Sequence, residues 1–281
     1  MRRYQDEDDY WRIREFLRKV LLLNDRRQLS WHIARLDYWR WHAIENCQAC
    51  DPVEAVTFIW ETSDGLIAAV LNPEDIGQVF LQVHPNLRTL ELEDELVAIA
   101  EKHLTRPGSD GKQKLWVWAD AHDDLRHDVL TRRGYTCVKS PGEQEYQRRR
   151  PMSMPIPKAF HPNEPEERYE GWTWYHNVQR CPLYRRDLDI VAVASNGEFA
   201  SFCTVWYDDA TRTAYFEPVG TAPAHQRRGL GKAVMHEGLR RLERLGATLA
   251  FVSSYSPAAH ALYASVGFTE YDSCEPWAKE F

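Results

Sequence analysis

Long apolar stretches are absent from this sequence. No run approaches the ~18–20 consecutive apolar residues that a helix needs to cross a bilayer. Residues 1–8 are mostly charged or polar and contain no apolar core of the kind found in a signal peptide. These two absences argue against a membrane partner and a secretory route, so we predict a cytoplasmic protein.

Positive charge is in the minority. The chain has 35 Lys and Arg residues against 42 Asp and Glu residues, for a net charge of −7. A nucleic-acid partner usually requires a basic face, so we predict none, and the negative balance favours a cationic substrate. We interpret the basic cluster Arg148, Arg149 and Arg150 as the solvated edge of a linker rather than a binding patch.

The usual patterns of metal and redox sites are also missing. Cys47 and Cys50 form a single C-x-x-C, without the second pair or the His pair that a zinc site needs. A thioredoxin-like site would need a βαβ context that is not visible around them. The other four cysteines are scattered, as in a reducing compartment. We therefore predict no metal site.

One order of predicted strands and helices occurs twice along the chain. Residues 83–85 correspond to residues 221–223, and residues 130–135 correspond to residues 263–268. Two copies of one α/β unit are the simplest interpretation. A proline-rich segment at 147–165 is typical of a linker, so we predict a first domain over 1–150 and a second over 151–281.

The second copy contains a glycine-rich turn between a predicted strand and a predicted amphipathic helix. Such a turn directs backbone N–H groups to one side, and the helix dipole adds positive potential, so the turn suits a phosphate. Gly229 and Gly231 would let the anion approach the backbone closely. Arg227, Arg228 and Lys232 would surround it with positive charge.

This turn and a second segment, Leu-Tyr-x-x-x-Gly-Phe at 262–268, together resemble the GNAT superfamily of acyl-CoA-dependent N-acyltransferases. The resemblance is specific over about 189–268. It implies two tandem mixed α/β domains, each with a mostly antiparallel twisted sheet flanked by helices. It also implies an enzyme that transfers an acetyl group from acetyl-CoA to a primary amine by direct attack in a ternary complex.

The resemblance also implies roles for particular residues. Tyr263 lies where the family has a general acid that protonates the departing thiolate. The expected acetyl-CoA contacts are Val219, Gly220 and Thr221 for the pantetheine arm and thioester, Gln226, Arg227, Arg228, Gly229, Leu230, Gly231 and Lys232 for the pyrophosphate, and Ser256 at a position where the family often has Asn.

Strand alternation adds a candidate general base. Glu217 has the same side-chain parity as Val219 and Thr221, so it is the best candidate to accept the proton of the amine. A solvent-facing or salt-bridged carboxylate is an equally good interpretation of this residue. His225, just before the loop, is expected at the surface or at the edge of the cofactor.

The first copy lacks this chemistry. Glu91 and Glu93 occupy the two glycine positions, where carboxylates would repel a pyrophosphate, and Leu130 replaces the tyrosine. We therefore predict a degenerate first domain that does not bind CoA.

The acceptor is open at this stage. A cation could bind among aromatic residues of the second half, although core packing explains these side chains equally well. They are Trp172, Trp174, Tyr175, Trp206, Tyr207 and Tyr215. A small cationic amine is favoured on charge. The alternatives are a mycothiol-synthase-like enzyme that acetylates an amino-sugar thiol precursor, and a non-catalytic acyl-CoA-binding or scaffold protein.

Overall fold

The computed structural model describes residues 1–108, 111–138, 144–154 and 172–281. They form two units: unit 1 comprises Met1–Glu145 together with Asp272–Phe281, and unit 2 comprises Tyr146–Tyr271. The sequence placed the division at 150/151 and assigned the whole C-terminus to the second domain. The structure differs because the C-terminal segment is a strand of the first unit. Most of the predicted proline-rich linker lies outside the described residues.

The bounds of the helices and strands follow the predicted order closely. The helices are α1 (Glu7–Leu23), α2 (Ile33–Tyr38, continued by a π-helix over Trp39–Ile44), α3 (Val53–Val56), α4 (Leu90–His103), α5 (Asp124–Arg132), α6 (Trp172–Gln179), α7 (Leu230–Leu245) and α8 (Pro257–Ser265). The strands are β1 (Arg2–Arg3), β2 (Phe58–Glu61), β3 (Ile67–Asp75), β4 (Gln78–Val83), β5 (Arg106–Pro107), β6 (Gln113–Asp120), β7 (Thr136–Cys137), β8 (Glu145–Pro151), β9 (Asp189–Val193), β10 (Phe199–Asp208), β11 (Thr213–Thr221), β12 (Leu249–Ser254) and β13 (Glu270–Glu280).

The two units share one sheet topology. Unit 1 has the strand order β1-β2-β3-β4-β6-β13, and unit 2 has the order β9-β10-β11-β12-β8. In each unit one pair is parallel, β4 with β6 and β11 with β12, and the neighbouring pairs are antiparallel. A helix connects the two parallel strands each time, as a parallel pair requires. The repeated order predicted from the sequence is therefore a repeat of structure.

Helix α7 covers one face of the unit 2 sheet. Its buried side chains Met235, Leu239 and Leu242 pack into one cluster with Cys203 and Val205. The helix begins after Gly229 and ends at Gly246, both in the left-handed conformation that glycine adopts without steric cost. The predicted amphipathic helix is confirmed, and it fixes the position of the loop that precedes it.

The arginine cluster has a different role from the predicted one. Arg148 and Arg150 lie buried on β8, whereas Arg149 forms a surface ion pair with Glu270. The Arg150 guanidinium donates to the carbonyl oxygens of Val266 (3.0 Å) and Met154 (2.9 Å). Carbonyls at the end of a helix lack intrahelical partners, and Arg150 satisfies one of them just after α8. The solvated-linker interpretation was wrong because the acceptor at Val266 lies far along the chain and has no local signal.

Strand β13 was not predicted from the sequence. It pairs with β6 from Lys114 to Asp120, and its first unit 1 residue, Asp272, forms an ion pair with Arg27.

None of the helices in the described ranges combines the length and apolar character required to span a bilayer.

Candidate active site

The parallel strands β11 and β12 separate toward their C-terminal ends. Their pairing covers only Thr213 with Leu249, Ala214 with Ala250, and Tyr215 with Phe251. Beyond this point β11 stays bonded to β10, and β12 stays bonded to β8. The result is a wedge, lined by residues 217–221 on one side and 252–254 on the other. Among the described residues, no strand pairs with β11 along the wedge, so its backbone groups there can bind an extended chain.

A β-bulge shapes the wedge at the predicted base. The register between β10 and β11 shifts between Cys203 and Val205, next to Glu217. The buried Trp206 donates from its indole Nε1 to the carbonyl oxygen of Glu217 at 2.5 Å. A bulge leaves some backbone groups without a hydrogen-bond partner in the neighbouring strand, and the Trp206 indole supplies a donor for one of these groups, the Glu217 carbonyl. Sequence reasoning considered Trp206 for cation binding or core packing and missed this contact.

Tyr263, the predicted acid, is buried on α8. Burial raises the pKa of Tyr263 to about 12, with a smaller contribution from the negative charge of Glu217. The phenol therefore remains protonated across the neutral pH range. Its hydroxyl has no hydrogen-bond partner within the described residues. A protonated hydroxyl that interacts electrostatically with a carboxylate is suited to donate a proton at the wedge.

The loop after β11 has an unusual backbone. Arg227 and Gly229 both adopt left-handed conformations, with φ of 61° and 83°. A left-handed arginine costs roughly 1 kcal/mol or more, and such strain is concentrated at functional sites. No side chain caps the first turn of α7, so its N–H groups are available at the helix N-terminus. This arrangement fits an anion.

Each glycine of the loop region is required for its own structural reason. A Cβ on Gly220 would lie 2.6 Å from the Phe202 ring, and one on Gly231 would lie 3.2 Å from Leu262 and 3.3 Å from the Thr221 hydroxyl. Gly229 has open space around it and is required by its positive φ. Close packing therefore explains Gly231 in addition to the predicted approach of an anion.

The remaining predicted residues are placed as follows. The Ser256 hydroxyl caps α8 by accepting from the N–H of Ala259 at 3.2 Å, which leaves its hydrogen free to donate. Gln226 lies at the exposed side of the loop and donates to Thr221 O at 3.3 Å. Arg228, Leu230 and Lys232 follow in the loop and the first turn of α7. His225 is fully buried, which excludes the surface position, and its alternative position at the edge of the cofactor stays a prediction.

Comparisons with known proteins identify this arrangement. The family model described as Acetyltransferase (GNAT) family matches residues 150–268. Mycothiol acetyltransferase of Pseudarthrobacter chlorophenolicus is 26% identical over 240 residues, which cover 74% of this chain and 72% of the relative. The [ribosomal protein bS18]-alanine N-acetyltransferase of Escherichia coli is 33% identical over 119 residues, which cover 41% of this chain and 75% of the relative. The chain belongs to the GNAT family of acetyltransferases.

Solved structures support the same fold over both units. A GCN5-related N-acetyltransferase from Sphaerobacter thermophilus has a TM-score of 0.61 at 17% identity, covering 99% of this chain and 94% of that one. A tandem GNAT protein from the clavulanic acid biosynthesis pathway has a TM-score of 0.63 at 15% identity, covering 99% and 97%. The predicted tandem GNAT fold is confirmed, and the chain is an acyltransferase of this family.

A side chain of unit 1 reaches into its own wedge. β4 and β6 pair only at Gln78 with Trp116 and at Val79 with Val117, so they also separate. Arg126 extends into this region and donates to the carbonyl oxygen of Leu81 at 3.2 Å. In unit 2 the corresponding position on the strand is Val219, one of the predicted pantetheine contacts.

The glycine loop of a GNAT domain is replaced in unit 1 by an ionic network. Arg126 donates twice to the fully buried Glu93, at 3.0 Å each, and Arg88 bridges Glu93 and Asp123. Thr89 caps α4 by accepting from the N–H of Leu92. Carboxylates and a cap therefore occupy the helix N-terminus where unit 2 offers N–H groups. Sequence reasoning identified Glu93 but not its arginine partner.

Proposed function

We propose that unit 2 transfers an acetyl group from acetyl-CoA to a primary amine by direct attack, and that unit 1 does not bind CoA. The observation that carries the proposal is the open wedge beside Glu217 and Tyr263, followed directly by a left-handed loop at the start of α7. In unit 1 the equivalent wedge and helix start are both occupied by side chains.

The acetyl-CoA would lie along β11. Val219, Gly220 and Thr221 would bind the pantetheine arm and polarise the thioester carbonyl through backbone groups. The loop from Gln226 to Lys232 would bind the pyrophosphate through N–H groups, with Arg227, Arg228 and Lys232 nearby. Ser256 retains a hydroxyl hydrogen for one further bond.

In the proposed reaction the amine nitrogen attacks the thioester carbon and forms the C–N bond. Glu217 accepts the proton that the amine loses, directly or through water. The C–S bond then breaks, and Tyr263 donates its hydroxyl proton to the departing sulfur. The raised pKa of Tyr263 means that the phenol is protonated at neutral pH, so its proton is present when the C–S bond breaks.

The first test follows free thiol while the protein is incubated with acetyl-CoA and a panel of amines. Tyr263→Phe and Glu217→Gln should each lower kcat by roughly 100-fold or more, since each removes one proton-transfer group. Acetyl-CoA affinity measured by calorimetry should stay within about threefold. Exposed Tyr271→Phe and Glu243→Gln are matched controls that should retain activity. Full activity in both site variants would overturn the assigned roles.

A second candidate acceptor is an amino-sugar thiol precursor of the mycothiol type. It is favoured by the extent of the match to mycothiol acetyltransferases, which covers 74% of this chain and reaches beyond unit 2. Including such a precursor in the amine panel separates the two candidates, because the preferred acceptor should have the highest kcat/KM.

A further inference from the structure

A carboxylate with no cationic partner in the described residues lies on the face of the unit 2 sheet opposite α7. Asp189, at the start of β9, is half-buried and accepts three hydrogen bonds from neutral hydroxyl groups. Tyr175 and Tyr184 donate to its Oδ2 at 2.5 and 3.0 Å, and Thr204 donates to its Oδ1 at 3.1 Å. We refer to these four residues as the Asp189 cluster.

The cluster is rich in hydrogen-bond acceptors and negative in charge. No lysine, arginine or histidine pairs with Asp189 in the part of the chain that the structure describes, whereas neighbouring Asp187 pairs with Arg185. The two phenol oxygens lie 2.7 Å apart. When both phenols donate to the carboxylate, their oxygen lone pairs remain as acceptors beside its charge, and the Gln179 side chain also bonds to both phenols. Such a group of oxygens is complementary to an ammonium ion.

The cluster lies in line with the proposed base. Thr204 pairs with Asp189 across β9 and β10, and on its other side it lies within the bulge opposite Glu217. Thr204 and Trp206 share one face of β10, because side chains alternate along a strand. The Tyr184 ring packs edge-on against Trp206, whose indole holds the Glu217 carbonyl. Two strand spacings separate Asp189 from Glu217, or about 10 Å.

The opposite face of β10 cannot accept a ligand. Cys203 and Val205 point to that side and are buried in the cluster formed with α7. An acceptor therefore approaches from the face that carries the Asp189 cluster, and its reactive nitrogen must reach Glu217.

We propose that the Asp189 cluster binds a second ammonium group of the acceptor, so that the substrate is a diamine-like compound with its nitrogens about 10 Å apart or less. The inference rests on the proposed function. One amino group loses its proton to Glu217 and reacts, while the other stays charged at Asp189. The Trp172 and Trp174 side chains, also considered for cation binding, lie outside the described residues.

The test compares 1,6-diaminohexane with 6-amino-1-hexanol, which replaces the second ammonium group by a hydroxyl of similar size. The unmodified protein should prefer the diamine by about 10-fold or more in kcat/KM, the range expected for one charge-assisted contact. Asp189→Asn should abolish this preference by raising KM for the diamine, with KM for acetyl-CoA unchanged. Asp187→Asn is the matched control and should behave like the unmodified protein.

A second variant guards against loss of folding. Tyr175 is 47% exposed, so Tyr175→Phe should leave the fold intact and weaken the preference by a smaller factor. Equal use of both acceptors by the unmodified protein would overturn the proposal while leaving acetyl transfer to amines in place. If neither compound releases thiol, calorimetry with 1,6-diaminohexane in the presence of CoA decides. Binding lost in Asp189→Asn supports the cluster, and no binding to the unmodified protein refutes it.

Discussion

At the scale of single residues, the site depends on how side chains hold the backbone of β11. The negative charge of Glu217 contributes to the raised pKa of Tyr263, so the two side chains interact electrostatically. The surroundings determine where each of these residues lies. Trp206 holds the Glu217 backbone by bonding its carbonyl at the bulge. Packing within the core of unit 2 holds Tyr263.

Trp206→Phe tests this positioning role. The substitution keeps an aromatic ring but removes the indole N–H, so the Glu217 carbonyl loses its donor and the carboxylate loses its fixed direction. We expect kcat to fall by about 10-fold with KM for acetyl-CoA unchanged, and we expect the pH profile of kcat to shift as the base changes environment.

Trp60→Phe in unit 1 is the matched control. Trp60 is also buried, and its indole nitrogen has no hydrogen-bond partner in the described residues, so the same truncation removes no bond. An equal loss of kcat in both variants would indicate a general effect of truncating a buried indole. An unchanged pH profile in Trp206→Phe would contradict the positioning role.

At the scale of elements, helix α7 has a left-handed glycine at each end, at Gly229 and at Gly246. Both conformations penalise a Cβ, by roughly 1–2 kcal/mol for an ordinary residue. Only the N-terminal glycine belongs to the proposed pyrophosphate loop. The two positions therefore allow stability and ligand binding to be separated within one helix.

We expect Gly229→Ala and Gly246→Ala to lower the melting temperature by similar amounts. Only Gly229→Ala should weaken the binding of acetyl-CoA, by roughly 10-fold or more, because it disturbs the N–H groups at the helix start. Calorimetry and thermal melting on both variants measure the two effects. Unchanged affinity in Gly229→Ala would refute the role of the loop in binding the pyrophosphate.

At the scale of the whole molecule, the chain uses its C-terminus to complete its first unit. β13 pairs with β6 over seven positions, from Glu280 opposite Lys114 to Cys274 opposite Asp120. Without this strand β6 would lose its longest antiparallel pairing, and buried backbone groups would lose their partners. The first unit is therefore complete only when the last strand is present.

Ending the chain before Asp272 should expose this dependence. We expect the β6 amides that face β13 to lose protection in hydrogen exchange, since β13 supplies their partners and Asp272 supplies the ion pair with Arg27. The Trp116 amide donates to Gly77 O on the other side of the strand and is the internal reference. Deleting Phe281 alone is the control, because it removes one backbone bond, to Gln113 O. Full protection of β6 in the shortened chain would contradict this account.

Much of the fold could be predicted because its signals are local. Helix α7 has an apolar face at helical spacing and a glycine at each end, and α8 is preceded by a serine cap. By contrast, Arg150 was interpreted as part of a solvated linker edge, and Arg126 was not singled out from the sequence. Their acceptors lie far along the chain, at Leu81 and Val266, and no local pattern indicates them.

The sequence by itself determined the repeated order of elements, the glycine loop and the position of Tyr263, because each depends on residues close together in the chain. Only the tertiary structure decided that Glu217 lies at a bulge held by Trp206, that Arg126 and Glu93 fill the wedge of unit 1, and that the C-terminal strand belongs to that unit. These features depend on strand pairing and charge burial between distant segments, which local periodicity does not record.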